Sequence, residues 1–247
     1  DPQLQNPSSR NVDPSNETVE QMVRRAIALA GGFPKITSGM TVLIKPNLVE
    51  IQQPSGSGND TDVRVVEAVA KVVDEIDHGK IKIIVGDGSP RTFTPFEVAA
   101  AGGSSPQWKQ LFGDSDPGKD AGYQKLLTRM TAAGIDFRLS NLNGNSAGNP
   151  WSELYTVLIS GGGVAQPQKG RYRIHHDVVT ADAYITVPVL KIHDPGITCA
   201  LKNQIGLAPS TLYGFSKTAG VPQNNRAYKL LHISQAPYNW TDKEIVD

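Results

Sequence analysis

The sequence predicts an α/β fold, a mixed, mostly parallel sheet flanked by helices with a loop-rich insertion, on three observations. Short aliphatic and β-branched runs, TVLI at 41–44, KIKIIV at 80–85 and YITVPVL at 184–190, have the composition of strands buried in a sheet. Between the first two lies a segment whose apolar residues fall three and four apart, so strand, helix and strand follow in the order of a parallel crossover unit. Each run stops abruptly in polar residues, Gly or Pro. The 247 residues are long enough for one large α/β unit, and read as a single domain, 1–247, with 91–150 as the loop-rich insertion.

In chain order, residues 1–16 are polar, carry three prolines and read as an exposed arm. A helix is expected over 18–30, because Val19, Met22, Val23, Ala26, Ile27 and Ala30 share one face, with Asn16 or Thr18 as cap and Gly31-Gly32 as stop. The strand at 41–44 delivers Lys45, Pro46 and Asn47, and the proline holds Lys45 extended. Residues 50–61 have almost no apolar content and read as a mobile loop. Helical spacing returns over 62–76 with Thr61 or Asp62 as cap, and the strand at 80–85 ends in GDGSP at 86–90. Within 91–150, helices are expected at 94–101 and 123–133 and a strand at 135–139. An edge strand at 153–160, an extended piece at 172–174, the strand at 184–190, the first turns of a helix from 198 and a helix near 226–233 complete the order. Residues 175–181 are too short a stretch to assign.

Composition bounds the function. Lys plus Arg and Asp plus Glu are equal at 24 each, so no net charge draws the chain to nucleic acid, and any basic site is local. Cys199 is the single cysteine, which excludes an internal disulfide and an iron–sulfur cluster made by this chain alone. Flanked by Thr198 and Ala200, it reads as a small packed residue. No run approaches the roughly 20 apolar residues of a membrane span. No signal peptide is visible, so export and a cytoplasmic location both stay open. Neither GxGxxG nor a P-loop GK[ST] occurs, and no nucleophile elbow is present, which disfavours standard nucleotide folds and hydrolases of the Ser-His-Asp type.

Chemistry concentrates where strands end, the rim at which open α/β sheets bind ligands. Lys45 offers an anion a point charge and Asn47 a donor and an acceptor, against the plainer reading of a lysine paired with a carboxylate. Asp87, between two glycines, either ligates a cation, orients a lysine, or makes an Asx-turn. Lys191 and His193 alternate with Ile192 and so share a side in extended chain. A nearby ammonium keeps an imidazole neutral, suited to act as base or ligand. Lys202 and Asn203, at a helix start, suit a carboxylate or phosphate. His193, Lys191 and Lys202 are thus the candidate catalytic residues, Lys45, Asn47 and Asn203 the candidate anion-binding residues, and Asp87 with His193 the candidate metal ligands. His175-His176-Asp177 is set aside as a metal site, because adjacent residues on a strand point to opposite faces.

Four pieces in this order, VLIKPNL at 42–48, TDVRVVEAV at 61–69, IIVGDGSP at 83–90 and VPVLKIH…CALKNQIG at 187–206, together resemble the family called domain of unknown function 362, over about residues 17–235. Members of that family usually run on to a further strand with an aspartate-containing motif, so the resemblance implies a chain truncated at its C-terminus. Some members carry a ferredoxin-like domain, and some an export signal. More distantly the chain is similar to the nickel-pincer lactate racemase family. Asp87, His193 and Lys202 are the positions that correspond, with Ala200-Leu201 standing where that family has a glycine pair before its lysine. Two functional readings follow. One is an enzyme, redox or racemase-like, acting on a small anionic substrate with a metal or bound cofactor whose identity the sequence does not give. The other is a non-catalytic binding or assembly protein. A second copy of the chain and a redox partner both stay open as partners.

Overall fold

The computed structural model describes residues 18–48, 60–88, 122–144, 153–158, 166–167, 171–193, 196–209 and 228–229. The expected arm at 1–16, the helix at 94–101 and most of the 50–61 loop lie outside them.

Helix α1 (Val19–Leu29) starts where Thr18 and Gln21 cap each other's backbone, and ends at Gly31 and Gly32, whose φ of 89° and 70° suit glycine. Strand β1 (Thr41–Pro46) runs two residues beyond the expected TVLI, since the fixed φ of Pro46 suits extended chain. Helix α2 (Val63–Asp74) is capped by Asp62, whose carboxylate accepts from Arg64 N. Strand β2 (Lys82–Asp87) lies two residues later than expected, so Gly86 and Asp87 belong to the strand and not to the turn. Helix α3 (Tyr123–Ala132) and strand β3 (Phe137–Asn141), within the stretch read as an insertion, make a second crossover.

The main sheet has the order β3-β2-β1-β7, where β7 is Ala183–Val187, and all its pairings are parallel. Two successive crossovers step from β1 to β2 to β3, and the chain then returns to lay β7 on the other side of β1. The direction of winding therefore reverses between β1 and β7, which is the topological switch point. On one face, Val42, Ile44, Ile83, Val85 and Phe137 pack with Val66, Val69 and Val73 of α2 and Leu126 and Met130 of α3. Each such side chain contributes about 1.5–3 kcal/mol on full burial, and this core holds the strand ends in place. On the other face, Leu43 and Ile84 are buried beside Lys45.

Four expectations need correction. The run 184–190 is not one strand buried on both faces: β7 stops at Val187, because Pro188 has no N–H to continue the ladder, and among the described residues it is an edge strand with Tyr184 exposed. Lys191–His193 instead forms β8, which pairs antiparallel with β9 (Gly196–Thr198), His193 lying opposite Gly196. The helix beyond, α5 (Ala200–Asn203), is four residues long and passes into a 3-10 turn, Gln204–Leu207, so it has no helical length behind its N-terminus. Tyr228–Lys229 pairs as a strand with Gln166–Pro167 where a helix was expected, tertiary pairing overriding weak helical spacing. Cys199 is exposed.

The strand expected at 153–160 is β4 (Leu154–Leu158), paired antiparallel with β6 (Arg171–His175) outside the main sheet. Helix α4 (His176–Thr180) follows β6 and packs on β1 and β4. Among the described residues no helix is long and apolar enough to cross a membrane.

Candidate functional site

The carboxyl ends of β1, β2 and β7 gather an unusual set of buried polar residues: Lys45, Asn47, Asp60, Thr61, Asp87 and Asn203, each 5% exposed or less. Lys45 is the last lysine-sized side chain one expects there, at 1% exposure. Its ammonium lies 3.0 Å from Asp87 Oδ2, and donates to Pro46 O at 2.7 Å and to Asn203 Oδ1 at 3.3 Å. Three acceptors match the three donors of an ammonium. Asp87 Oδ2 also accepts from Leu48 N at 2.8 Å, so the carboxylate ties the end of β2 to the chain leaving β1. Burial pushes the Lys45 pKa below that of an ordinary lysine, against the opposing pull of Asp87.

Asn203 closes the arrangement from above. Its amide nitrogen donates to Lys45 O at 3.1 Å and to Thr186 Oγ1 at 2.9 Å, and Lys45 and Thr186 are register partners across β1 and β7. A single side chain thus spans the switch point. Thr61 spans it a second time: its hydroxyl accepts from Asn47 N at 2.8 Å and donates to Val187 O at 2.7 Å, while its own N–H donates to Asn47 O at 2.9 Å. Tyr123 OH donates to Thr61 O at 3.3 Å, and burial holds that phenol well above its usual pKa.

Two glycines allow the close packing. Gly88 N donates to Gly206 O at 2.7 Å. A Cβ at Gly206 meets Lys45 Nζ at 2.6 Å and Asp87 Oδ1 at 2.9 Å, and one at Gly88 meets Gly206 O at 2.4 Å. Neither site accepts a side chain without displacement.

Of the residues singled out by sequence, Lys45, Asp87 and Asn203 come into direct contact, and buried Asn47, two residues beyond Lys45, bonds Thr61 through its backbone. Lys191 and His193 stand on the β8–β9 hairpin, and half-buried Lys202 stands beside Asn203 on α5. The hairpin lies in the chain between β7 and α5, and α5 packs against both β7 and β9. Thr61, Thr186, Gly88 and Gly206 were missed. Thr61 carried a weak signal, since Asp62 next to it is the better cap and leaves the threonine hydroxyl for other use. Among the described residues no group of three or more His, Cys, Asp or Glu is placed to hold a metal ion. The His175-His176-Asp177 motif folds as a local cap: His175 Nδ1 accepts from Asp177 N at 3.2 Å, and Asp177 takes two bonds from Arg138 at 2.8 and 2.6 Å and one from Ser140 at 2.5 Å.

A family model described as Domain of unknown function (DUF362) matches residues 42–236, a span that takes in every residue of this centre. No curated protein and no solved structure matches the chain.

Proposed function

The chain belongs to the DUF362 family, and from that premise we propose that the rim where β1, β2 and β7 end binds a small anionic molecule and acts on it by proton transfer. The observation that carries this reading is the buried Lys45–Asp87–Asn203 centre at the switch point, where ligands of open α/β sheets sit. In this reading Lys45 is a positioning residue. Its three donors are taken by protein, so it sets the place of Asn203 and of the segment that carries Lys191, His193 and Lys202. Lys191 and Lys202 then supply the cationic contacts, Asn47 and Asn203 the polar frame, and His193 moves the proton in a redox or racemase-like step. A metal at Asp87 and His193 belongs to the same proposal only as an added Lewis acid.

The experiment is binding followed by turnover. Phosphate, sulfate and a panel of short 2-hydroxy and dicarboxylic acids are titrated calorimetrically against the wild type, Lys191→Gln and Lys202→Gln. The expectation is a saturable site in the wild type that weakens in both variants. Exchange of substrate Cα hydrogen with solvent deuterium, lost in His193→Ala, reports the proton transfer. No binding by any of these anions, or binding unaltered by both lysine changes, overturns the reading.

A second reading, a binding or assembly protein without turnover, is favoured by one observation: every donor of Lys45 ends on protein acceptors, as in a purely structural staple. Anion binding with no hydrogen exchange and no redox turnover selects it.

A further inference from the structure

Lys45 is enclosed on its sheet side by core that cannot move independently, since Leu43 and Ile84 are buried and β1 is paired on both edges. Its remaining wall is of another kind. Ala200–Leu207 lies directly on the ion pair, as the 2.6 Å approach of a Cβ at Gly206 to Lys45 Nζ requires. Polar bonds fasten it to the strand ends: Asn203 to Lys45 and Thr186, Gln204 to Tyr184, and Gly206 O to Gly88 N just past β2. Among its described side chains apolar anchoring is slight, for Leu201 is 68% exposed and Leu207 is half-buried. A short segment fastened through polar bonds, with its described apolar side chains exposed or half-buried, belongs to the part of a fold that opens first.

We propose that Ala200–Leu207 is a strap latched onto Lys45 by Asn203 and onto β2 by the Gly88–Gly206 contact, and that the Lys45 ammonium becomes accessible only when the strap lifts. What the strap guards rests on the anion-site reading above; that it lifts does not. Asn203 is a positioning residue in this scheme, acting through Lys45 and the strap. The bonds from Asn203 that seal the ion pair in the closed form leave with the strap, so the open form presents an ammonium still paired to Asp87 with one donor released.

The test is acetylation of lysines by an amine-reactive ester, read by peptide mass spectrometry alongside hydrogen exchange. Exposed Lys82 serves as internal control. In the wild type, Lys45 is expected to label slowly but through an opening that is independent of dilute denaturant, while the amides of Val42–Ile44 exchange only by global unfolding. Gly88→Ala pushes a methyl group into Gly206 O without touching Lys45 or Asn203, and Asn203→Ala removes the latch. Each is expected to raise Lys45 labelling roughly tenfold or more with Lys82 unchanged. Lys45 labelling that tracks Val42–Ile44 exchange in the wild type overturns the strap whether or not the variants fold. Opening without phosphate binding in the same samples upholds the strap and removes the anion-site reading. Phosphate binding with Lys45 sealed does the reverse.

Discussion

Replacing Lys45 by Met tests the centre most directly, because methionine keeps the unbranched stem and removes only the charge and its donors. Lys45 and Asp87 are 3.0 Å apart with side chains 1% and 4% exposed, so solvent screens the pair little. Lys45→Met takes the counter-charge from the buried Asp87 carboxylate, which keeps the bond from Leu48 N, and deprives Pro46 O and Asn203 Oδ1 of their ammonium donor. Breaking a buried pair from one side costs about 3–5 kcal/mol, a large part of a typical stability of about 5–15 kcal/mol. At about 2–4 °C per kcal/mol for a domain of this size, the midpoint of thermal unfolding drops by roughly 6–20 °C. Removing both charges in Lys45→Met with Asp87→Leu leaves no stranded ion, so the double variant is expected to be less destabilised than the sum of the singles, by up to about 3 kcal/mol. Urea unfolding followed by circular dichroism measures all four proteins. Additive losses, or a Lys45→Met variant as stable as the wild type, refute the description of the pair as buried and coupled.

Acid should weaken the fold in two steps at the α4 cap. Burial lowers the His175 pKa below its ordinary 6.5, against the pull of Asp177 and Glu153, so its contribution is complete above pH 6.5 and is lost as pH falls through the depressed value. Burial raises the Asp177 pKa, but hydrogen bonds from Arg138 and Ser140 more than offset it and hold the carboxyl far below its ordinary 3.8, so that contribution is lost only in stronger acid. Urea midpoints measured across this range should show the upper step vanish in His175→Gln and the lower one in Asp177→Asn; an unchanged profile in both rejects the assignment. Thr61→Val, which strands Asn47 N and Val187 O in the interior, is expected to cost about 2–4 kcal/mol at about 1–2 kcal/mol per stranded group. Asp62→Ala next to it, a lost helix cap, should cost about 1 kcal/mol, and the reverse order in urea denaturation contradicts the roles assigned to the two residues.

Helices α1, α2 and α3 and the first parallel crossover were legible because local chemistry decides them. The capping box at Thr18, the Asp62 cap and the spacing of valines through α2 act within one turn, and the aliphatic runs of β1 and β2 needed no partner to be read as strands. The centre was legible only in its parts. Lys45, Asp87 and Asn203 each stood out as polar groups at element ends, but whether Asp87 turns back on its own loop or reaches Lys45 depends on where β2 ends. A two-residue difference moved it from turn to strand. Thr61 and Asp60 were hidden for a related reason: a polar stretch reads as solvated, and burial of such residues arises from bonds made by segments distant in sequence. Pro188 did mark the end of β7, but the aliphatic residues around it outweighed it.

The switch point explains why the polar residues collect where they do. Between β1 and β2 the ladder ends beside a crossover that packs close, whereas between β1 and β7 the connections leave in opposite directions and the last backbone groups of both strands need other partners. Thr61 and Asn203 fill that gap from two sides, Asn203 bonding Lys45 of β1 and Thr186 of β7, and Thr61 bonding Asn47 just past β1 and Val187 of β7. Lys45 and Asp87 enter as opposite charges 3.0 Å apart, and in an interior of low dielectric two such charges largely cancel at a distance. A ligand anion at the rim therefore gains little from Lys45 while the strap is closed. In the proposed site the counter-charge comes from Lys191 on β8 and Lys202 on the strap, so part of the affinity and the closed position of the strap would be set by the same hydrogen bonds of Asn203.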